Sequence, residues 1–249
     1  MIQFQALMLK GFLNLLLPPI CPLCSSDALD GRFCQKCLDS VSLITGPICI
    51  CCGRPFVSQE CESHLCWECI KKPEKIAFST ARSFFVYKGA LLDAIHMFKY
   101  NGKTSLAKPL IAIIADSQPV FEKTGLLFNS HDLIVPVPLH KKRLKERGFN
   151  QSLILAKGLA EIYNLPVDYL NLKRIRETDP QINLKGEDRI NNVRGAFAAE
   201  DTAAFKDKRV LLIDDVYTTG ATVLECSRVL KKAGAKNIDV VTLARVANL

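Results

Sequence analysis

The segment Val210–Thr222 reads VLLIDDVYTTGAT, and it decides the fold. Its apolar start predicts a strand over 209–213 that is buried on both faces. Asp214 and Asp215 follow at the carboxyl end of this strand, which is where ligands bind in open α/β sheets. A short loop of hydroxyl side chains and one glycine then leads into a predicted helix over about 221–233. The segment therefore predicts a ligand site between a strand and the helix that follows it.

The loop after the two aspartates has the chemistry of a phosphate cradle. Backbone amides at a helix start attract an anion, the three threonines add hydroxyl donors, and Gly220 lets the backbone approach closely. The lysine of a Walker loop and the G-x-G-x-x-G motif are both missing, which disfavours nucleoside triphosphates and dinucleotides. Two carboxylates beside such a cradle suit a sugar phosphate, with Asp214 and Asp215 facing ribose hydroxyls and a Mg²⁺ ion. The alternative is an ordinary strand-loop-helix turn capped by Asp and Thr.

Outside this segment, apolar runs of strand length alternate with helical patterns. Strands buried on both faces that alternate with helices indicate an α/β fold with a parallel sheet. The pattern predicts strands over 81–87, 133–138, 167–172, 209–213 and 238–244, and helices over 90–100, 105–116, 153–163 and 221–233.

Ten of the eleven cysteines lie between residues 21 and 69, and eight of them form four Cys-x-x-Cys pairs. Two such turns supply the four thiolates of a structural zinc site, so four turns suit about two zinc ions with no open coordination position. A disulfide framework would need an oxidising compartment, and no export signal is visible. A thioredoxin-like redox pair would need a strand-helix context. The predicted metal ligands are Cys21, Cys24, Cys34, Cys37, Cys49, Cys52, Cys66 and Cys69.

The sequence leaves the pairing of these turns open. Closure by consecutive pairs is simplest, and interleaved closure also agrees with the spacing. Cys51 and Cys61 lie inside the segment and could replace a ligand, whereas Cys226 lies on a predicted helix and is expected to be a buried thiol. A fold this short is expected to depend on its metal for stability, by about 10 kcal/mol or more.

Charge divides unevenly along the chain of 249 residues, which is 49% hydrophobic and carries a formal net charge of +8. This composition excludes a disordered protein. Residues 1–70 hold four basic and six acidic groups, and residues 71–249 hold 29 and 19. All-thiolate zinc centres would make the first part still more negative. A polyanion is therefore expected to meet the second part first.

The loop segment resembles the phosphoribosyl pyrophosphate (PRPP) motif of the type I phosphoribosyltransferases. That motif is an apolar run, two acids, two more residues and a Thr/Gly-rich loop, and residues 210–222 match it throughout. In that family the acid pair contacts the ribose and the loop binds the 5′-phosphate. The resemblance implies these roles for Asp214, Asp215, Thr218, Thr219, Gly220, Ala221 and Thr222.

Further motifs resemble the ComF family, also called ComF/GntX, over nearly the whole chain. They are LPP at 17–19 before the paired cysteines, HMFKY at 96–100, VPVP at 135–138, RGFNQ at 147–151 and the block 181–197 ending in NVRGAF. The resemblance implies a parallel-sheet type I phosphoribosyltransferase-like domain preceded by a small Cys-rich double zinc ribbon module. Some members of that family are implicated in natural transformation, where they handle incoming single-stranded DNA, and others have no settled role.

Four parts follow from these patterns. Residues 1–20 form an apolar, amphipathic segment that we expect to dock on the protein rather than on a membrane or partner. Residues 21–70 form the double zinc ribbon, 71–80 the linker and 81–249 the phosphoribosyltransferase-like domain. No apolar run reaches the roughly 18 residues of a membrane span. Without a visible export signal, we expect the protein to be cytoplasmic.

Two basic stretches are candidates for further ligand contacts. Residues 140–147 follow the strand at 133–138, and in phosphoribosyltransferases the loop after this strand binds pyrophosphate. Lys142, Arg143 and Arg147 are therefore candidates for binding pyrophosphate or DNA, against the alternative of a solvated helix face.

The second stretch, residues 173–194, could form a hood that closes over the ligand. Gln181, Arg189 and Asn192 are its candidates, and a plain surface loop is the alternative.

Three further residues each have two alternative roles. Lys99 and Tyr100 either reach the ligand or end a helix. Tyr217 either stacks on a base or has no function.

Two functions compete. The first is a protein that binds PRPP or a related phosphoribosyl ligand and single-stranded DNA during DNA uptake, with a helicase or DNA-processing factor as a partner. The second is an active phosphoribosyltransferase that transfers ribose 5-phosphate to a nitrogen acceptor. A structural zinc-ribbon adaptor, the third reading, explains neither the loop nor the basic domain.

Overall fold

The computed structural model describes residues 18–58, 60–178 and 186–247, with β-strands and α-helices distributed along the whole described chain. The strands are β1 (Thr80–Val86), β2 (Leu133–Pro136), β3 (Leu172–Arg174), β4 (Phe197–Ala199), β5 (Arg209–Tyr217) and β6 (Asn237–Arg245). The α-helices are α1 (Gln35–Asp39), α2 (Trp67–Lys71), α3 (Gly89–Tyr100), α4 (Ala107–Asp116), α5 (Gln118–Glu122), α6 (Lys141–Arg147), α7 (Gln151–Tyr163), α8 (Gly186–Val193) and α9 (Ala221–Lys232). Short 3₁₀ turns lie at Leu29–Gly31, Pro73–Lys75, Thr104–Leu106 and Phe128–Ser130.

The centre of the fold is a four-stranded parallel sheet in the order β1-β6-β5-β2. Successive side chains along a strand point to opposite faces of the sheet, so they belong to two different hydrophobic cores. In β5, Leu211 packs on the side of α3, α4 and α7, while its neighbour Leu212 packs on the side of α8, α9 and the antiparallel pair of strands β3 and β4. Both faces of the sheet are thus covered, which confirms the predicted α/β class.

The ribbon segment covers the edge strand of this sheet. Ile44 N–H donates to the Phe84 carbonyl, and Val86 N–H donates to the Ser42 carbonyl, at 2.9 and 2.8 Å. Farther along the same edge, Ala81 N–H donates to the Cys51 carbonyl at 2.7 Å. These bonds satisfy backbone groups of β1 that would otherwise form an open sheet edge.

Arg82 joins the segment around Ile50 and Cys51 to the sheet. Its buried guanidinium donates to the carbonyls of Ile50 and Thr124 at 2.9 and 3.1 Å. Beside Arg82, the backbone at Gly53 lies very close to β1, and a Cβ atom on Gly53 would be 2.3 Å from the Ala81 oxygen. Gly53 also has a φ of +71°. This position therefore requires glycine.

Most predicted elements are confirmed, and one strand is wrong. Of the predicted strand 167–172, only Leu172 belongs to a strand, β3, and Val167 forms an isolated bridge with Ile134. The cause is Asp168, whose side chain accepts hydrogen bonds from the backbone N–H groups of Leu170 and Asn171. Such local bonds compete with a strand ladder and turn the chain.

The N-terminal prediction concerns mainly residues 1–17, which lie outside the described residues. Within the part of the chain that the structure describes, none of the helices combines the length and apolarity that crossing a membrane requires.

Candidate functional site

The two aspartates lie buried at the carboxyl end of β5, beside the start of α9. Oδ1 of Asp214 accepts hydrogen bonds from the Ser152 hydroxyl at 3.0 Å and from the Asp215 backbone N–H at 2.9 Å. Oδ1 of Asp215 accepts the Val216 N–H at 2.7 Å. The polar groups of β5 and α7 thus fix both carboxylates in place.

Lys99 supplies positive charge to this pair. Its Nζ lies 2.6 Å from Oδ2 of Asp215, and the lysine side chain is only 16% exposed. Burial opposes its charge, but the adjacent Asp215 outweighs burial and raises the pKa of Lys99. The ammonium is therefore charged where it meets the aspartates.

The pKa of Asp214 is raised to about 7. Burial is the main cause and the charge of Asp215 is the second, while Lys99 and the bonds from Asp215 N–H and Ser152 act in the opposite direction. Near neutral pH this carboxyl therefore holds a proton more often than an exposed aspartate does.

The hydroxyl-rich loop runs from Thr218 to the first turn of α9. Gly220 has a φ of +78°, and a Cβ atom there would lie 2.3 Å from the Tyr217 hydroxyl oxygen. Thr219 is exposed, and its hydroxyl accepts the Ala221 N–H at 3.4 Å. The loop therefore depends on glycine, and it ends at a helix N-terminus that favours an anion.

Tyr217 lies beneath this loop, with its hydroxyl against Gly220. It is only 6% exposed, and the Arg245 guanidinium lies 4.4 Å from the centroid of its ring. Because the ring is enclosed, the suggestion that Tyr217 stacks on a base is wrong.

A cleft of about 780 Å³ brings the aspartates, the loop and part of the basic helix α6 together. Arg143 and Arg147 line it, and each has a neighbour on the same surface. Arg143 pairs with Glu146 at 3.1 Å, and the Arg147 guanidinium lies 5.3 Å from the ring centroid of Tyr100. Lys142 is more peripheral and pairs at 2.8 Å with Glu177, which itself lines the cleft.

The hood candidates are less well placed. Gln181 lies outside the described residues, and Arg189 lies on α8 with its side chain also outside them. Asn192 lies on α8 too, where its carbonyl accepts a hydrogen bond from Arg176 at 3.0 Å. Among the described residues, Asn192 is not one that lines the cleft.

Arg174 is a cleft residue that the sequence pattern did not single out. It lies at the end of β3, with its guanidinium 5.4 Å from the ring centroid of Phe197 and hydrogen-bonded to the Thr178 hydroxyl. The sequence identified its stretch only as basic, because the separate two-stranded β3–β4 sheet that carries it lies outside the main sheet.

The cysteines form two compact clusters that follow the consecutive pairing. One cluster is Cys21, Cys24, Cys34 and Cys37, the other is Cys49, Cys52, Cys66 and Cys69, and the Sγ atoms within each lie within 4.8 Å of one another. Several Sγ pairs are 3.4 to 3.8 Å apart. Those spacings suit a tetrahedron with Zn–S distances of about 2.3 Å. The clusters therefore support two structural zinc sites.

The three remaining cysteines lie outside these clusters. Cys51 packs against the second cluster, the Cys61 thiol donates to the Ser58 carbonyl at 3.2 Å, and Cys226 is a buried thiol, as predicted. All eleven cysteines fall within the described ranges, and none of them forms a disulfide there.

Two family models match the chain. The double zinc ribbon domain matches residues 12–72, and the phosphoribosyl transferase domain matches residues 150–248. The second match includes the acid pair and the loop but not Lys99.

Curated relatives match over most of the chain. The competence protein ComFC of Bacillus subtilis is 30% identical over 87% of this chain and 85% of its own length. The competence protein F of Haemophilus influenzae is also 30% identical, over 85% of this chain and 88% of its own length. The DNA utilization protein YhgH of Salmonella typhimurium is 30% identical over 93% of this chain and 99% of its own length.

Proposed function

The chain belongs to the ComF family, and from that premise we propose that its cleft binds PRPP or a related phosphoribosyl ligand, and that the basic cleft mouth binds single-stranded DNA. One observation carries the proposal. The acid pair and the hydroxyl-rich loop open into the same cleft as Arg143 and Arg147. A phosphate group, a ribose and further phosphates can therefore be held side by side.

The inner part of the cleft suits the ribose 5-phosphate moiety. The loop ends at the N-terminus of α9, where backbone N–H groups and the helix dipole favour a phosphate. Ionised carboxylates accept hydrogen bonds, so Asp214 and Asp215 suit the ribose hydroxyls. Both aspartates are buried, and a hydroxyl that reaches them replaces water at a site where hydrogen bonds are strong.

The outer part of the cleft suits a single strand. Arg143 and Arg147 provide cations for backbone phosphates, and Tyr100, which is 55% exposed, offers a ring for base stacking. Arg147 lies against that ring, so cation and aromatic surface are adjacent. The excess of basic residues after residue 70 favours the same partner.

The biological setting of the proposal is natural transformation in the cytoplasm. The relatives are named competence proteins and DNA utilization proteins. Eight cysteines grouped in two metal-type clusters, rather than in disulfides, agree with a reducing compartment. A helicase or another DNA-processing factor is the partner class that a protein handling incoming single strands would meet.

Phosphoribosyl transfer is the second candidate function, and the position of α6 favours it. This basic helix follows β2, the neighbour of β5, so Arg143 and Arg147 also suit a pyrophosphate. In such a reaction a nitrogen nucleophile forms a bond to the anomeric carbon. The bond from that carbon to the pyrophosphate oxygen breaks, and pyrophosphate leaves with the electron pair.

Calorimetry on the double variant Asp214→Asn/Asp215→Asn tests the proposed ligand site. Asparagine preserves the shape of each side chain, and PRPP affinity is expected to fall at least about tenfold, or 1.4 kcal/mol. Unchanged affinity, with zinc content and circular dichroism like those of the unaltered chain, would refute the site. Pyrophosphate release with candidate bases on the unaltered chain separates binding alone from transfer.

A further inference from the structure

The inner cleft is assembled from two distant parts of the chain. The acid pair and the loop belong to the segment matched by the phosphoribosyl transferase model, whereas Lys99 comes from the last turn of α3, before that segment. Its Nζ nevertheless lies 2.6 Å from Oδ2 of Asp215. A buried ammonium needs such a partner, because removing a charge from water is costly unless it is paired.

Several other groups face the acid pair, and Lys99 must be judged against them. Tyr87 after β1 lies near Asp215, and burial raises the pKa of its hydroxyl, so it is uncharged near neutral pH. Tyr100 on α3 lies near Lys99. Cys226 on α9 is a buried thiol whose pKa is raised by burial, so it is neutral as well. Arg174 on β3 adds positive charge near Asp214. Lys99, however, makes the direct ion pair.

A resident divalent cation does not fit well on the pair. Three of its four carboxylate oxygens already have partners, which are Ser152 and Asp215 N–H, Val216 N–H, and the Lys99 ammonium. Mg²⁺ demands near-octahedral oxygen coordination at short distances. An ion on these aspartates would also lie against the ammonium, and like charges repel. The expectation that the pair holds Mg²⁺ is therefore not supported by the geometry.

We propose that Lys99 is the built-in cation of this site, which holds the acid pair ready to accept the ribose hydroxyls, so that a ribose 5-phosphate group binds without a divalent metal. The inference rests on the proposed phosphoribosyl site. Lys99 acts through Asp215 and is thus a positioning residue. The ligand class it specifies is a 5-phosphorylated pentose with free ring hydroxyls.

Calorimetry with ribose 5-phosphate on the full zinc-loaded chain tests this inference. Buffers are freed of divalent ions by a chelating resin rather than by a soluble chelator, which would compete for the zinc. The affinity of the unaltered chain is expected to stay within about twofold when Mg²⁺ is added. Lys99→Met is expected to weaken binding at least about tenfold near pH 7, which equals 1.4 kcal/mol.

The pH profile separates positioning from a merely structural role. The charge of Lys99 lowers the pKa of Asp214, so without the ammonium this carboxyl ionises at a higher pH, and the Lys99→Met variant is expected to regain part of its affinity at about pH 9. Lys99→Arg keeps the charge and is expected to bind better than Lys99→Met. Lys103→Met is the matched control, because it removes the same charge from an exposed position shortly after α3.

Each failure has its own meaning. A Mg²⁺ requirement in the unaltered chain would overturn the inference, even if Lys99→Met failed to fold. Unchanged affinity in a folded Lys99→Met variant, or a loss of affinity that is the same at every pH, would also overturn it. If the unaltered chain bound no ribose 5-phosphate with or without Mg²⁺, the proposed phosphoribosyl site itself would fall, and this inference with it.

Discussion

The Arg245 guanidinium lies 4.4 Å from the ring centroid of Tyr217 and also donates a hydrogen bond of 2.5 Å to the Cys52 carbonyl. One buried side chain therefore contacts both the second cysteine cluster and the residue beneath the hydroxyl-rich loop. The Tyr217 hydroxyl in turn lies against Gly220. The zinc ribbon is thus in physical contact with the floor of the candidate site.

Replacing Arg245 is expected to weaken this connection. Arg245→Met retains much of the packing volume but leaves the buried Cys52 carbonyl without its donor, and it removes the cation from the Tyr217 ring. We expect a loss of about 2 kcal/mol in the free energy of unfolding, measured by denaturant titration. Arg32→Met is the control, because the ion pair of Arg32 with Asp116 is exposed. Equal effects of the two substitutions would contradict the buried role of Arg245.

Gly220→Ala is expected to damage the loop. The new Cβ would lie 2.3 Å from the Tyr217 hydroxyl, in a backbone conformation with a φ of +78°. Ribose 5-phosphate affinity should fall at least about tenfold in calorimetry. Gly102→Ala is a matched control, because its φ is +63° but no atom lies within 4 Å of the added Cβ. The control isolates backbone strain, so a similar loss of affinity in both variants would show that the Tyr217 contact is irrelevant.

The sequence predicted the parts of this site that are contiguous in the chain. In Val210–Thr222, a strand, two aspartates, a threonine- and glycine-containing loop and a helix follow one another directly, so the site forms from neighbouring residues. Each Cys-x-x-Cys turn likewise brings two thiolates together without help from the rest of the chain. The positions of Lys99 and Arg174 depend instead on how α3 and the two-stranded β3–β4 sheet pack around the main sheet. Their placement follows from long-range contacts, which the local patterns do not encode.

Two errors of prediction have similar local causes. The strand over 167–172 has suitable apolar residues, but the side chain of Asp168 captures backbone N–H groups and turns the chain. Tyr217 follows the aspartates and looked available to a ligand. Because β5 continues through Tyr217, the tyrosine is carried beneath the loop rather than into it.

Stability is expected to fall as the pH rises from about 4 to about 7, because of Asp214. An unfolded aspartate titrates near pH 4, and burial raises the pKa of Asp214 to about 7 in the fold. Between these values the folded state holds more protons than the unfolded state, so raising the pH favours unfolding. Urea unfolding at several pH values measures the effect.

Asp214→Asn is the decisive variant for this pH dependence. It removes the titrating group, so the decrease between about pH 4 and 7 should become shallower. Burial also raises the pKa of Asp239, but hydrogen bonds from His131 and Thr80 outweigh it and lower the pKa. That group therefore acts below about pH 4. An unchanged slope in Asp214→Asn would show that other groups cause the decrease.

Metal analysis is expected to find about two zinc ions per chain. Cys66→Ser removes a thiol from the second cluster, so one zinc should be lost and the edge contacts of β1 weakened. The expected result is a lower melting temperature together with a zinc content of about one. Cys61→Ser is the matched control, because Cys61 lies outside both clusters. Zinc loss in Cys61→Ser but not in Cys66→Ser would reverse the ligand assignment.

Single-stranded DNA binding is expected to depend on which face of α6 carries the charge. Arg143→Met/Arg147→Met removes two cations that line the cleft, so affinity should fall and the slope of log K against log salt should decrease by about 1.4. Lys141→Met/Lys145→Met removes the same charge from exposed positions of the same helix that are not among the described cleft-lining residues. Fluorescence anisotropy with a labelled oligonucleotide at several salt concentrations measures both slopes. If the control pair lowered the slope as much as the arginine pair, binding would follow total charge, and the strand would not enter the cleft.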